Sequence, residues 1–305
     1  MSPAPTLGID GGRLAGPVSG VPRYLAELLG EWARVPLPFS RVTLYVSAEL
    51  PTGTLPVEHP FEVQVLPERI DPAIWAHVTL GRAARHDDLL FCPSYVAPIA
   101  YRAPFAVTIH DALPAFMPAS RASLRRKARI AAVRRSARRA RLVLTPSEST
   151  KRDVERFYHV PPDRVRAIPL AARKPAPEPP PEEIRTVRER YRLGPEPFLL
   201  FVGKLARRRN LPLLARAFAD ARARLALPHR LVLVGSDTVG VAGELAALGL
   251  GDALRLTGHI PDADLDVLYR EAELFVHPSA YEGFGLPVSA ARGRPGRRGR
   301  AGCRL

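Results

Sequence analysis

Short apolar runs rich in β-branched residues alternate with helical patterns along most of the 305-residue chain. Such an alternation is typical of βαβ units, in which helices connect parallel strands. A proline-rich stretch between residues 171 and 197 divides the alternation into two series, because proline interrupts both helices and sheets. We therefore predict an α/β protein with two Rossmann-like, doubly wound domains.

The pattern predicts seven strands in the first series and four in the second. They are residues 7–10, 42–46, 63–66, 89–92, 106–109, 142–145 and 165–168, followed by 198–202, 231–234, 254–257 and 274–277. Helices are predicted at 21–32, 184–191, 211–225, 241–248 and 263–271. The predicted domain boundaries are 1–172, a linker at 173–197, a partial second domain at 198–288 and an aberrant tail at 289–305.

Composition narrows the class of protein. With 46% hydrophobic and 25% charged residues, the chain is typical of a globular protein. No apolar run is long enough to span a bilayer, the first residues do not resemble a signal peptide, and two cysteines are too few for a disulfide framework. We expect a cytoplasmic protein.

The net charge of +15 is concentrated in two segments. Residues 121–141 contain ten basic residues and residues 289–305 contain six, with no acidic residue in either, so the rest of the chain is nearly neutral. The first segment also has a small apolar face and few aromatic residues. We therefore expect a surface helix and no nucleic-acid partner. A solvated helix and a peripheral contact with anionic lipid on the inner membrane face both remain open.

Two polar features follow strands of the first domain, where open α/β sheets bind ligands. The glycine-rich loop 10–20, which includes Gly16 and Gly20, joins a strand to a helix and is either an anion-binding loop or a plain connection. His110 and Asp111 end the fifth strand. A single strand-end histidine is either structural or functional.

The second domain has three such features. Lys204, Arg208 and Arg209 follow its first strand, where their charges could neutralise a pyrophosphate or form a solvated turn. Three aspartates at alternate positions, Asp262, Asp264 and Asp266, are interpreted as helix caps and not as metal ligands. Glu282 lies in a turn of small residues that can present a carboxylate and backbone amides to a polyol.

In this order and spacing, these segments resemble retaining glycosyltransferase family 4, whose fold is GT-B. The resemblance covers about residues 7–288, and its most specific part is the stretch 268–287, which ends in Tyr-Glu-Gly-Phe-Gly-Leu-Pro. Supporting parts are 201–211 and 144–153. The resemblance implies transfer of a sugar from a nucleoside diphosphate donor to a saccharide or lipid-linked acceptor, with retention and without a required metal or other cofactor. The first domain would then be the acceptor side and the second would bind the nucleotide sugar.

The resemblance also implies residue roles. His110 and Glu282 contact the donor sugar in the catalytic centre, and Lys204 and Arg209, with Arg208, hold the donor pyrophosphate. The residues that line the donor and acceptor cleft are Gly16, Gly20, Phe284, Gly285 and Leu286, the last three through their amides. No side chain need act as a nucleophile.

The chain departs from the family pattern at two important positions. Arg209 replaces the usual lysine, and Ala290 stands where the family has a second glutamate as ribose ligand. Because the sequence after Val288 is low in complexity and rich in arginine, we hypothesise a frameshift or truncation there. This hypothesis predicts weakened donor binding and leaves the activity open. A nucleotide-sugar epimerase of the same fold and a basic nucleic-acid- or membrane-surface-binding protein without catalysis remain alternatives.

Overall fold

The computed structural model describes residues 3–16, 20–67, 71–112, 124–171, 177–237 and 240–292. The chain divides into two compact units, Met1–Pro169 and Leu170–Leu305. Each unit contains a sheet whose described strands are all parallel. The predicted α/β class is therefore confirmed.

The first unit contains a seven-stranded sheet of order β3-β2-β1-β4-β5-β6-β7 among the described residues. The strands are β1 Thr6–Asp10, β2 Arg41–Val46, β3 Phe61–Val65, β4 Leu89–Cys92, β5 Phe105–Thr108, β6 Leu142–Thr145 and β7 Val165–Ala167. Its helices are α1 Gly20–Trp32, α2 Pro72–Ile74, α3 Leu80–Ala83, α4 Leu124–Arg139 and α5 Glu148–Asp153. Apolar clusters cover both faces of the sheet, as continuous apolar strands require.

The second unit contains a four-stranded sheet of order β10-β9-β8-β11 in the part of the chain that the structure describes. Its strands are β8 Phe198–Val202, β9 Arg230–Val234, β10 Leu254–Gly258 and β11 Leu274–Phe275. Its helices are α6 Pro181–Arg190, α7 Leu211–Leu225, α8 Val241–Ala246, α9 Asp262–Glu271 and α10 Leu286–Arg292. Helix α6, from the proline-rich stretch, packs in this unit through the buried Val187.

The sequence pattern did not predict two helical segments of the first unit. Residues 72–86 and 148–158 each contain a π-helical turn, Trp75–Thr79 and Val154–Tyr158. In the first of them the buried Trp75 and Leu80 are five residues apart. A wider turn places buried side chains outside the 3.6-residue period, so the helical pattern is hidden in the sequence.

Two expectations for the second unit need correction. Strand β11 ends two residues early, because the chain turns away before Pro278, which cannot donate to a ladder. The helix-capping interpretation of the aspartates is wrong for Asp264, since Pro261 occupies the cap position and Asp264 accepts hydrogen bonds from Arg190 and Tyr191. Helix α10 extends to Arg292, four residues beyond Val288, and the frameshift hypothesis stays a prediction.

Among the described residues, no helix is both long enough and apolar enough to cross a membrane.

The first unit provides a test of close packing at Gly12. A Cβ atom at this position would lie 2.4 Å from the ring of Trp75, whose indole donates a hydrogen bond to the Leu66 carbonyl. Replacing Gly12 with Ala should therefore destabilise the first unit by about 1–3 kcal/mol through overpacking.

Urea unfolding followed by tryptophan fluorescence measures this effect, because both tryptophans, Trp32 and Trp75, lie in the first unit. Gly30→Ala in α1 is the matched control. An added Cβ meets nothing within 4 Å there, and alanine favours a helix by roughly 0.5–1 kcal/mol. Equal midpoints for the two variants would contradict the packing argument.

Candidate functional site

The two sheets place the predicted site residues at their topological switch points. In the first sheet the order reverses between β1 and β4, and in the second between β8 and β11. Open parallel sheets form a ligand crevice beyond the carboxyl ends of the strands at such a point. The glycine-rich loop follows β1, the basic turn follows β8 and the turn with Glu282 follows β11.

His110 lies two residues beyond β5, beside the switch point of the first unit. Its Nε2 is 2.8 Å from the Pro93 carbonyl oxygen, and its ring packs edge-on against Tyr24 and Tyr95 at 4.9 and 5.6 Å between centroids. Tyr95 is held by a hydrogen bond from its hydroxyl to Asp111. These contacts fix the orientation of the imidazole.

The environment of His110 also sets its charge and tautomer. Burial lowers its pKa below the usual 6.5, against smaller opposing effects of the Pro93 carbonyl and Asp111. The ring is therefore neutral at pH 7. Because a carbonyl oxygen only accepts, Nε2 carries the proton and Nδ1 is left as an acceptor.

The glycine-rich loop begins with packed residues and continues with open ones. Asp10 is buried, which raises its pKa to about 6 despite the Gly12 amide and the charge of Arg13. A Cβ on Gly16 would come no closer than 3.6 Å to its neighbours, and one on Gly20 would meet nothing within 4 Å. Among the described residues, both glycines therefore have open space beside the backbone. Residues 17–19 between them lie outside the described residues.

In the second unit, Glu282 forms a compact ionic cluster with the basic turn. Its Oε1 lies 2.8 Å from Arg208 Nη1, 3.1 Å from Arg209 Nη1 and 3.4 Å from His277 Nε2. His277 Nε2 is also 3.2 Å from Arg209 Nη1 and 3.1 Å from the Ser279 hydroxyl. One nitrogen cannot donate and accept at once, so His277 either donates to the carboxylate or accepts from Arg209 or Ser279.

The cluster keeps Glu282 ionised. Burial alone would raise its pKa, but a hydrogen bond from His277, which requires the proton on Nε2, and the charges of Arg209 and Arg208 outweigh that effect and lower the pKa to about 2. Arg209 is itself buried, and this burial lowers its pKa against the attraction of Glu282. A buried cation and a partly buried anion therefore depend on each other.

Backbone features hold the two loops of the cluster together. Gly203, directly after β8, has φ of +144°, and a Cβ there would lie 2.6 Å from the Arg209 guanidinium. The Asn210 side chain donates to the Pro278 carbonyl, and the Ala280 amide donates to the Arg208 carbonyl. These contacts bring the turn after β8 against the turn after β11.

His277 and Ser279 join the cluster although the sequence did not identify them as site residues. His277 stacks on Phe201 and Phe275 at 5.5 and 5.9 Å between ring centroids, so it resembles a core residue by its surroundings. The available signal was a histidine at a strand end followed by proline. Since strand-end histidines are commonly structural, that signal alone was weak.

The remaining predicted residues of the second unit lie in the turns that follow β8 and β11. Lys204 is exposed, and no described carboxylate forms an ion pair with its ammonium. The Phe284, Gly285 and Leu286 amides immediately precede or begin α10, and among the described residues none of the three has a hydrogen-bond acceptor. Ala290 lies within α10, partly buried against the apolar cluster of this unit.

Two family models match the chain in sequence. The model described as Glycosyltransferase Family 4 matches residues 18–172, and the model described as Glycosyl transferases group 1 matches residues 183–291. Because the first match spans more than half of the chain, the protein belongs to that family of glycosyltransferases.

Individual relatives agree with this assignment. The chain is 32% identical to O-antigen chain mannosyltransferase B of Escherichia coli over 155 residues, which are 50% of this chain but only 41% of the relative. It superposes on Anabaena HepE in complex with UDP-glucose with a TM-score of 0.68, at 18% identity, covering 94% of this chain and 78% of that one. It superposes on WaaG, a glycosyltransferase involved in lipopolysaccharide biosynthesis, with a TM-score of 0.67 at 16% identity, covering 93% and 78%.

At sequence identities this low, the superpositions establish the fold alone. The fold is GT-B, with two Rossmann-like units. The sequence matches are to glycosyltransferases and favour neither the epimerase nor a non-catalytic binding protein.

The low pKa of Glu282 predicts a specific pH dependence of stability. A carboxyl group whose pKa falls from 4.5 to about 2 on folding stabilises the protein above pH 4.5, and this stabilisation is lost as the pH falls towards 2. Glu282→Gln should therefore lower the free energy of unfolding at pH 7 by about 1–3 kcal/mol, and the difference from wild type should shrink as the pH falls from 4.5 towards 2.

Urea unfolding followed by far-UV circular dichroism at several pH values measures the effect. The unfolding midpoint measured by tryptophan fluorescence should be the same in wild type and variant, because neither tryptophan lies in the second unit. Glu244→Gln is the matched control. It breaks the exposed Arg207–Glu244 pair and should change stability by less than about 0.5 kcal/mol. A pH-independent difference for Glu282→Gln would contradict this explanation.

Proposed function

We propose that this protein transfers a sugar from a nucleoside diphosphate donor to an acceptor hydroxyl, with retention at the anomeric carbon. The main support is the ionic cluster at the switch point of the second sheet, where Glu282 is held ionised beside Arg208 and Arg209. Membership of a glycosyltransferase family supports the reaction class.

The donor diphosphate binds the basic turn after β8. Lys204 supplies an exposed ammonium without a carboxylate partner, and Arg208, half-buried, can exchange its contact with Glu282 for a phosphate oxygen. Arg209 is fixed by Glu282 and lies with its guanidinium carbon 5.9 Å from the Phe201 ring centroid. Fixed positive charge stabilises a departing diphosphate because it needs no reorganisation during the reaction.

The donor sugar is recognised by both hydrogen-bond acceptors and hydrogen-bond donors of the protein. The Glu282 carboxylate accepts hydrogen bonds from sugar hydroxyls, while the amides of Phe284, Gly285 and Leu286 donate to sugar oxygens. In the first unit, the neutral ring of His110 presents Nδ1 as an acceptor for a ligand hydroxyl. Gly16 and Gly20 leave room for the ligands at the amino-terminal loop.

Retention follows a path that needs no side-chain nucleophile. The bond between the anomeric carbon and the diphosphate oxygen breaks as the acceptor oxygen forms its bond on the same face. The acceptor proton passes to a diphosphate oxygen, which becomes the conjugate acid of the leaving group. NMR assignment of the anomeric configuration in donor and product tests this path, and an inverted product would contradict it.

The donor sugar is proposed to be a hexose. The mannosyltransferase relative and the UDP-glucose complex of HepE support this class, and the proposed acceptor is a saccharide or lipid-linked saccharide. A panel that includes GDP-mannose and UDP-glucose, with release of nucleoside diphosphate as the readout, identifies the donor. Release should require an acceptor, whereas an isomerised donor without an acceptor would favour an epimerase.

The basic turn provides a test with a closely matched control. Lys204→Ala should weaken binding of the nucleoside diphosphate about tenfold, because it removes one charge from the phosphate site. Arg209→Lys keeps the charge but loses the planar fork, and should weaken binding less than Lys204→Ala. Isothermal titration calorimetry measures both effects.

Arg207→Ala is the control, because Arg207 lies in the same turn, is 76% exposed in its side chain and pairs with Glu244. It should change affinity less than twofold. If Arg207→Ala and Lys204→Ala weaken binding equally, the effect is general electrostatic attraction and the assigned phosphate contact is wrong.

Transfer is also proposed to need no metal, since Lys204 and the two arginines supply the charge that a divalent cation would otherwise provide. Turnover should be unchanged within about twofold after treatment with excess EDTA. A loss of activity that Mg²⁺ or Mn²⁺ restores would contradict the proposal.

A peripheral contact with anionic lipid is the second proposal for the basic segment. Lys127, Arg129 and Arg134 are exposed on α4, and this helix carries no acidic residue. Each basic residue near an anionic surface contributes about 1 kcal/mol of attraction. Such a contact would bring the enzyme to a lipid-linked acceptor.

A further inference from the structure

The first unit contains a solvent-open cleft of about 270 Å³ at the amino-terminal edge of its sheet, opposite the strand ends that carry the proposed site. It lies where β5 and β6 begin and where α4 ends. Four arginines line it together with Phe105 and small residues, and they are Arg102, Arg139, Arg141 and Arg164. The volume is slightly below the roughly 300–1,000 Å³ of small-molecule pockets.

Two of these arginines are held in place by backbone carbonyls. Arg139 donates to the carbonyls of Ile99 and Tyr101, at 3.0 and 2.8 Å. Arg164 donates to the carbonyls of Arg138 and Ala140, at 3.2 and 3.3 Å, at the end of α4. Basic residues at a helix carboxyl terminus are favoured by the helix dipole, so these two positions have a structural explanation.

Arg102 and Arg141 have no such explanation. Both are exposed, and among the described residues neither guanidinium has a carboxylate or a carbonyl partner. No carboxylate in the described part of the chain pairs with Arg139 or Arg164 either. Four like charges therefore converge on one cleft with no carboxylate among the described residues to pair with them, which favours binding of an anion.

We propose that this arginine pocket is a second anion site, separate from the donor site, that binds a phosphate or diphosphate group. Guanidinium groups match phosphate oxygens through paired hydrogen bonds, and two of the four are already fixed by the backbone. Binding therefore orders chiefly the other two side chains, Arg102 and Arg141. The phosphate belongs either to a lipid headgroup, reached from the exposed basic face of α4, or to a free phosphorylated metabolite.

The test compares the wild-type protein with a double variant, Arg102→Ala/Arg141→Ala. These two side chains make no contact that the fold needs, so the variant should fold normally. Lys127→Ala/Arg134→Ala is the matched control, because it removes the same charge from exposed positions on α4 outside the pocket. Binding of inorganic pyrophosphate is measured by calorimetry, and co-sedimentation is measured with vesicles of phosphatidylglycerol and of phosphatidylcholine.

The pocket variant should lose one class of pyrophosphate binding, with an affinity loss of about tenfold or more, while Lys204→Ala should affect only the other class. If the phosphate belongs to a headgroup, sedimentation with phosphatidylglycerol should also fall more in the pocket variant than in the control. If it belongs to a free metabolite, the pocket variant should lose no more sedimentation with phosphatidylglycerol than the control, whose residues on α4 are those proposed to contact lipid.

The double variant Arg102→Lys/Arg141→Lys tests whether binding depends on the planar geometry of the guanidinium groups or only on their positive charge. Loss of the planar fork should weaken pyrophosphate binding several-fold although the charge is kept. The proposal is overturned if the alanine pocket variant binds pyrophosphate as tightly as wild type. It is also overturned if the control variant on α4 loses as much pyrophosphate binding as the pocket variant.

Discussion

The contact between Arg209 and Glu282 organises the second unit at the point where its sheet order reverses. Both groups are largely withdrawn from water, and each would carry an uncompensated charge without the other. The guanidinium fits only because residue 203 lacks a side chain, and the hydrogen bond from the Ala280 amide to the Arg208 carbonyl holds the carboxylate's turn against the basic turn. Strand geometry, glycine placement and charge pairing thus combine to fix one carboxylate among several cations.

The histidine of the first unit is held by a different kind of interaction. His110 is surrounded by tyrosine rings and a carbonyl oxygen, so burial keeps it neutral and one hydrogen bond sets its tautomer. The second unit instead compensates burial with opposite charge. The first unit therefore presents a neutral hydrogen-bond acceptor, and the second presents a fixed carboxylate beside cations.

Much of this arrangement was predictable because it depends on local patterns. All eleven described strands were located from apolar runs, and the positions of Lys204, Arg209 and Glu282 after strands placed them at sheet edges. The π-helical turns were missed because Trp75 and Leu80 do not follow a helical period. The role of His277 and the pairing of Asp264 were missed because they depend on partners in other elements, up to 74 residues away in the chain. The arginine pocket could not be predicted from the sequence either, because its four arginines come from three separate segments of the chain.

The central claim is that the turns after β8 and β11 form the binding site for a nucleoside diphosphate sugar. A crystal structure of the protein with such a donor tests it most directly. The account predicts diphosphate oxygens within hydrogen-bond distance of Lys204 and Arg209, and a sugar hydroxyl donating to Glu282. A diphosphate bound elsewhere, with Glu282 still paired only to the two arginines and His277, would contradict it.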